Sequence, residues 1–323
     1  MHRTLKEELS KRAIDELVLG ALGVGVSQVA RCHGGLFNTS YRVELADRRQ
    51  VFLRVAPPDD RPLLGVERAL LKRESHFGPI FRTCGAPVPQ MLFADFSRRR
   101  IDRDYVLSEF IPGLNWFYAK KKVEAHQESL MAQLGALTRQ VHGAVNAEGW
   151  FGYPAPFPHH SSWASFVESY VDLLERDLPR HPYASLPDEL LPSRALHRIE
   201  PLLKDVREPR LVHGDLWARN ILIRCDAAEP SIVALLDQDR ALWGDPWFEW
   251  VFYAFQYPDS FWQNYGRKPP KPDSSEGLRQ ILYRACGGVQ ASLEDALHFR
   301  KRKASQQMMG YAQRDLETLL KET

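Results

Sequence analysis

The sequence of 323 residues predicts an α+β protein of two lobes, a small β-rich one followed by a larger, mostly helical one. Three observations carry that prediction. Between residues 39 and 110, short runs of β-forming residues alternate with polar turn segments. Pro112-Gly113 then interrupts the chain. Beyond it, apolar residues recur at helical spacing. The lobes are accordingly drawn at 1–111 and 112–323, each within the usual size of a domain.

Taken in order, residues 4–19 put Leu5, Leu9, Ile14, Leu17 and Val18 at roughly helical spacing and predict an amphipathic opening helix. Thr39 to Leu45 alternates, with Tyr41, Val43 and Leu45 on one side, and predicts a strand. Ala46-Asp47-Arg48-Arg49 reads as the turn into a second strand, Gln50 to Val55. A helix from about Leu64 to Phe77 follows. Strands near Met91–Phe96 and Asp104–Phe110 flank a hairpin tip at Ser97-Arg98-Arg99-Arg100. In the second lobe Leu130, Leu134, Leu137 and Val141 make one helical stripe, and Phe166, Tyr170, Leu173 and Leu174 another. Three short strands, Arg210–Val212, Ile221–Arg224 and Ile232–Leu236, come next, and helices close the chain. Gly20, Gly23 and Gly25 sketch a glycine-rich fingerprint, but they follow a helix instead of a strand, which argues against a dinucleotide fold.

Composition narrows the partners. A formal net charge of +2 gives no basic stripe for nucleic acid. The one dense basic run, Arg300 to Lys303, reads as a solvated helix face. Cys32, Cys84, Cys225 and Cys286 are scattered without a CxxC pair, so neither a zinc site nor a disulfide framework is expected. Reduced thiols fit the cytoplasm. The N-terminus has no apolar stretch of the secretory kind, and no run approaches a membrane span.

The chemistry concentrates in LVHGDLWARNIL, residues 211–222. An apolar strand delivers a polar loop, and a second apolar strand leaves it. Asp215 and Asn220 sit five apart in that loop, and Leu235-Leu236-Asp237 ends another apolar run. Phosphoryl transfer asks for a carboxylate to orient a hydroxyl and accept its proton, and for oxygen ligands to Mg²⁺ on the phosphates. Asp215, Asn220 and Asp237 supply those roles, at the Asp-to-Asn spacing of the protein-kinase catalytic loop.

HGDLWARNILI followed by ALLDQDRALWGDP resembles the aminoglycoside phosphotransferase/choline kinase superfamily, in which Gly replaces the Arg of HRD. The resemblance implies a protein-kinase-like fold, with Asp215 as catalytic base, Asn220 and Asp237 as metal ligands, and His213 as a structural residue. Asp245 of Gly244-Asp245-Pro246 is read as a helix N-cap, with Pro246 at the first helical position. Asp239 is either a group holding water near the metal or a solvated charge.

The first lobe is then expected to hold ATP or GTP. In His33 to Tyr41, Gly34 and Gly35 let the backbone approach phosphates, and Asn38, Thr39 and Ser40 can donate hydrogen bonds. The resemblance strengthens this reading, since members share a Gly-Gly…Asn…Tyr-x-Val pattern. Arg54 of Val51-Phe52-Leu53-Arg54-Val55 stands where protein kinases carry Lys, and is expected to bind phosphate. Glu74 is its expected partner, with Glu67, one heptad earlier, as the rival. Tyr105 to Gly113 resembles the family hinge, where backbone groups of Ser108 and Phe110 are expected to meet the purine edge.

The acceptor is expected in the second lobe. Residues 115–323 carry 27 Asp plus Glu against 25 Lys plus Arg, a net of −2, which weighs against a polycationic aminoglycoside. Trp150, Trp163, Trp247, Trp250 and Tyr253 belong to an aromatic-rich region read mostly as core. Trp217 is read as a wall of the acceptor site. Arg219, placed with the catalytic residues, neutralises the transferring phosphate or binds an anionic acceptor; a surface salt bridge is the plainer reading. The expected function is Mg²⁺-dependent transfer of a γ-phosphate to a hydroxyl of a small molecule, led by a sugar-bearing antibiotic. A metabolic alcohol kinase of choline, sugar or homoserine type and a catalytically silent nucleotide-binding protein are the alternatives. A monomer or homodimer is expected, with no nucleic-acid or membrane partner.

Overall fold

The computed structural model describes residues 5–321 apart from 34, 36, 226–228, 251 and 253–256. Gly34 of the glycine pair and Tyr253 of the aromatic series therefore lie outside the described residues. The fold begins with α1 (Lys11–Leu22) rather than at residue 4. Ser10 caps it, its hydroxyl accepting from the Ala13 amide at 3.1 Å. Gly23 closes it in the left-handed conformation (φ 71°), which a Cβ would disfavour. Leu5 and Leu9 lengthened the apolar pattern without belonging to the helix.

Five strands follow: β1 (Val26–Cys32), β2 (Thr39–Leu45), β3 (Gln50–Val55), β4 (Met91–Asp95) and β5 (Tyr105–Glu109). They form one antiparallel sheet in the order β1-β2-β3-β5-β4. Tyr41, Val43 and Leu45 face Val51, Leu53 and Val55, and with Tyr105 and Leu107 they bury one side of the sheet against Ile14, Leu17 and Val18 of α1. The period-two alternation in the sequence is this face.

The helix expected over 64–77 is instead two pieces. A 3₁₀ turn (Gly65–Glu67) precedes α2 (Leu70–Thr83), separated by Ala69 at φ 56°. The second piece continues through Pro79 because Phe77 and Phe81 are wholly buried, each side chain contributing roughly 1.5–3 kcal/mol. Both join the core of the large lobe, so α2 ties the two lobes together.

The large lobe contains β6 (Leu114–Asn115), α3 (Trp116–Ala119), α4 (Gln127–Gly143), α5 (Trp163–Asp177), α6 (Pro192–Leu203), β7 (Arg210–Val212), β8 (Ile221–Arg224), β9 (Ser231–Leu235), β10 (Leu242–Gly244), α7 (Asp259–Tyr265), α8 (Ser275–Leu297) and α9 (Arg302–Lys321). Leu130, Leu134 and Val141 bury the inner face of α4, and Phe166, Tyr170 and Leu174 that of α5. Strand β8 pairs with β6 and β9, and β7 pairs with β10, so the loop after β7 is held between two small sheets. The four cysteines are free. Arg300 to Lys303 are exposed. No helix among the described residues is long and apolar enough to cross a membrane.

Candidate active site

The β7–β8 loop is built on a buried carboxylate. Glu249 is wholly buried and accepts from the amides of His213 (2.7 Å), Gly214 (3.0 Å) and Trp250 (3.0 Å). His142 Nε2 lies 3.4 Å from it and its Nδ1 lies 3.0 Å from the Tyr265 hydroxyl. Burial opposes the charge of Glu249, yet its hydrogen bond with His142 and the nearness of His142 and His213 hold its pKa below the usual range. This residue carries no motif in the sequence; it is one acid in an aromatic run, recognisable only once the loop it grips is folded against it.

His213 is buried and neutral, its pKa lowered by burial. Its Nε2 donates to the Leu236 carbonyl at 3.0 Å, and its ring meets Phe81 of α2 edge-on at 5.6 Å. It spans the chain from the β7 loop to Asp237. Gly214 has φ 75°, and a Cβ there would sit 2.4 Å from the Arg240 carbonyl. Conformation and space both require glycine, which explains HGD at this point.

Asp215 follows, half-buried. Asn220 Nδ2 donates to its carbonyl (2.8 Å) and to its Oδ2 (2.9 Å), fixing the carboxylate and leaving Oδ1 for another partner. Burial raises the Asp215 pKa well above the usual range; Arg240 pulls the other way, and Asp239, Glu294 and Asp237 add to the rise. Asp237 sits at φ 58°, a left-handed conformation that costs on the order of 1–3 kcal/mol in a non-glycine residue and here turns its carboxylate toward Arg54. Asp239 is buried, so it is not a solvated charge; burial and then Asp237 raise its pKa to about 6.

From the small lobe, Arg54 on β3 is paired with Glu74 of α2 and with Asp237 at 2.5 Å. Burial opposes its charge, but Glu74, Asp237 and Asp239 more than offset this and raise its pKa. Glu67, the rival, pairs instead with His298 at 2.8 Å. Burial lifts Glu74 to about 7 despite Arg54. Because that lies above the unfolded value of 4.5, the folded state binds the proton more tightly. The contribution to stability is full below pH 4.5 and lost as pH rises through about 7. Unfolding free energy of the nucleotide-free protein is expected to fall across that window by on the order of 3 kcal/mol from this group. Urea midpoints at pH 5 and pH 7.5 for wild type and Glu74→Gln test it; an unchanged slope in the variant contradicts it.

A cavity of about 1330 Å³ unites these groups. Gly35, Asn38, Ser40 and Arg54 line it from the small lobe, and Asp215, Trp217, Arg219, Asn220, Asp237 and Asp239 from the large one. Asn38 Oδ1 is buried there without a hydrogen bond. Ser108 and Phe110 are not brought to the cavity. Ser108 is enclosed in the sheet between Phe52 and Met91, and the Phe110 amide donates to Gln50 at 3.4 Å. Asp245 is the expected cap: it accepts from the Trp247 amide at 3.1 Å, and its other oxygen holds Arg279 and Tyr283.

Asn220 and Asp237 offer a hard cation the oxygens it prefers. With Asn220 Nδ2 committed to Asp215, its carbonyl oxygen is the group left for a ligand, so the residues present fit Mg²⁺. Replacing Asp237 by Asn is expected to weaken binding of Mg-nucleotide by about tenfold or more, while metal-free nucleotide binding changes little. Calorimetry with and without Mg²⁺ measures this.

A β-rich lobe and a helical lobe meeting over a cation–carboxylate pair and a carboxylate–amide loop define the kinase-like α+β fold. Residues 28–271 match the model of the phosphotransferase enzyme family, and the chain belongs to that family. It is 29% identical over 174 residues to a protein of Synechocystis sp. named a probable ketoamine kinase. That match covers 52% of this chain and spans 53%, about half, of the relative's length. Among solved structures, a thermostable mutant of aminoglycoside phosphotransferase APH(4)-Ia, in ternary complex with AMP-PNP and hygromycin B, superposes with a TM-score of 0.66 at 17% identity, covering 96% of this chain and 100% of that one. A candidate fructosamine-3-kinase of Thermobifida fusca gives 0.63 at 21% identity, covering 94% and 98%. At these identities the structural likeness speaks to the fold.

Proposed function

We propose that the protein is a small-molecule kinase that moves the γ-phosphate of ATP or GTP to a hydroxyl of its acceptor, with Asp215 as the base. The carrying observation is Asp215 itself. It is fixed by Asn220, raised in pKa by burial, and placed in the same cavity as Arg54 and Asp237. A base whose pKa is lifted toward the working pH is matched to accepting a hydroxyl proton during transfer.

In this reading Asp215 Oδ1 accepts the proton while Asn220 keeps Oδ2 in place. Arg54, steadied by Glu74, binds the phosphates near Asn38 and Ser40. Asn220 and Asp237 would hold Mg²⁺, which would neutralise phosphate charge and favour the ionised form of the surrounding carboxyls. His213 and Glu249 keep the loop in register and touch no substrate.

The acceptor is assigned as a hydroxylated, sugar-bearing compound rather than a polycation. The likeness to ketoamine- and fructosamine-kinase proteins supports a sugar–amine adduct as strongly as the hygromycin B complex supports an antibiotic. Thermal-shift measurements with Mg-ATP and Mg-GTP test the donor, since a ligand at about 100 times its Kd adds roughly 2.7 kcal/mol to native stability. A labelled-phosphate screen of ketoamines, sugars and antibiotics then tests the acceptor. Strong activity on a kanamycin-type polycation would defeat the charge argument.

A further inference from the structure

Besides Arg54, the cavity is lined by cations that have no carboxylate partner among the described residues. Three carboxylates stand on its wall from α8 and α9, and each already has a cation. Glu294 holds Arg240 at 2.9 Å, Asp295 holds Lys301 at 3.4 Å, and Asp315 holds Arg284 at 2.5 Å and 2.6 Å. Arg219 differs. Among the described residues it makes no ion pair, although it lines the cavity. Its guanidinium lies 4.3 Å from the Phe117 ring centre, 5.5 Å from Trp217 and 5.7 Å from Tyr118. Its Nε is sealed from solvent without a hydrogen bond. Asn115 Nδ2 donates to its carbonyl and pins the backbone. Arg314, stacked 4.7 Å from Tyr311, is a second cavity cation without a carboxylate among the described residues.

The aromatic contacts matter because of what they leave open. Stacking occupies the face of a guanidinium, while its N–H groups point outward in the plane. Those edges match the two oxygens of a carboxylate or phosphate, and charge-assisted bonds of this kind are about twice as strong as neutral ones. A carboxylate of the protein would have quenched the charge; three rings hold it without doing so.

We propose that Arg219 binds an anionic group of the acceptor, a carboxylate or a phosphate monoester, so that the substrate is a hydroxylated anion. The proposal rests on the phosphotransferase reading and decides between the two roles open to Arg219. Arg219 lies four residues beyond Asp215 on the same loop. One rigid segment thus sets both ends of the acceptor, the anion at Arg219 and the reacting hydroxyl at Asp215. The same charge repels polycations, which gives discrimination as well as attraction.

Matched triplets test this without requiring turnover: D-glucose, D-glucuronate and D-glucose 6-phosphate, and glycerol, D-glycerate and glycerol 3-phosphate. Binding is measured by calorimetry on the full chain with Mg-AMP-PNP, for wild type, Arg219→Gln and Arg219→Lys. A charged member should bind at least about tenfold more tightly than its neutral twin, or about 1.4 kcal/mol. Arg219→Gln should erase that preference and Arg219→Lys keep part of it, with melting curves confirming both variants folded. The carboxylate and phosphate arms identify which anion is read. Equal affinity for charged and neutral members, including no binding of any, overturns the proposal, as does a preference that survives Arg219→Gln. In parallel turnover assays with Mg-ATP, a fall in kcat in Arg219→Gln that is the same for charged and neutral acceptors assigns Arg219 to the transferring phosphate and overturns it too. An intact anion preference in a protein that transfers no phosphate would sink the kinase reading alone.

Discussion

Replacing Asp215 by Ala is expected to lower turnover by about 10²–10⁴-fold while leaving Mg-nucleotide affinity within about twofold, since a positioned base contributes that much to a transition state. The separation follows from geometry. Asp215 is tied to Asn220 at 2.9 Å, whereas Arg54, Glu74 and Asp237 form their own network across the cleft. On the proposed reading, losing the carboxylate removes the proton acceptor and leaves the phosphate-binding groups in place. A secondary effect has the opposite sign: burial makes this carboxyl costly to ionise, so the Ala variant is expected to be no less stable than wild type near neutral pH. Steady-state kinetics beside calorimetry measures both. Turnover that survives would remove Asp215 from the base role.

Glu249→Ala is expected to have the largest effect on stability. The substitution orphans the amides of His213, Gly214 and Trp250 in a site with no access to bulk water and leaves His142 without its acceptor. Each unsatisfied buried donor costs roughly 1–3 kcal/mol, and breaking a buried charged network costs on the order of 3–5 kcal/mol. At roughly 2–4 °C per kcal/mol, the melting temperature should drop by on the order of 10 °C. Turnover should fall as well, because two of the three amides Glu249 holds belong to the residues just before Asp215. Glu249→Gln, which keeps one acceptor oxygen, should lose less on both measures. A melting temperature within about 2 °C of wild type would show that the loop is held by something else.

These two residues mark what could and could not be read from the chain. That Asp215, Asn220 and Asp237 meet in one cavity is legible because a strand, a five-residue interval and a second strand place them by connectivity. Strands β2 and β3 are legible for a similar reason, since one buried face imposes alternation on Tyr41, Val43, Leu45 and Val51, Leu53, Val55. Glu249 is invisible because three of its partners are backbone amides, two of them 35 and 36 residues away, and the other is His142, 107 residues away, so no local side-chain pattern marks it. The pairing of Arg54 with Glu74 was expected from family order, whereas its contact with Asp237 crosses 183 residues and depends on how the lobes close. Helix α2 runs past the expected end at Phe77 to Thr83, through Pro79, because burial of Phe81 outweighs the local cost. Strand β5 lies inside the sheet between β3 and β4, a position that no local pattern in Tyr105–Glu109 announces.

The sharpest gain from the folded chain concerns charge. Over the second lobe acids and bases nearly cancel, which leans only modestly against a polycationic acceptor. In the folded cavity the wall acids Glu294, Asp295 and Asp315 are each neutralised, while Arg219 is left on three aromatic rings. If Arg219 binds the acceptor as proposed, selectivity resides in which charges are already paired rather than in their sum.

Following the γ-phosphate of labelled ATP and GTP in the presence of acceptor tests the central claim most directly. The label should appear on a hydroxyl of an organic acceptor, at a rate that depends on acceptor concentration and collapses in Asp215→Ala. Label released only as inorganic phosphate, at the same rate with and without acceptor and in the variant, would contradict it.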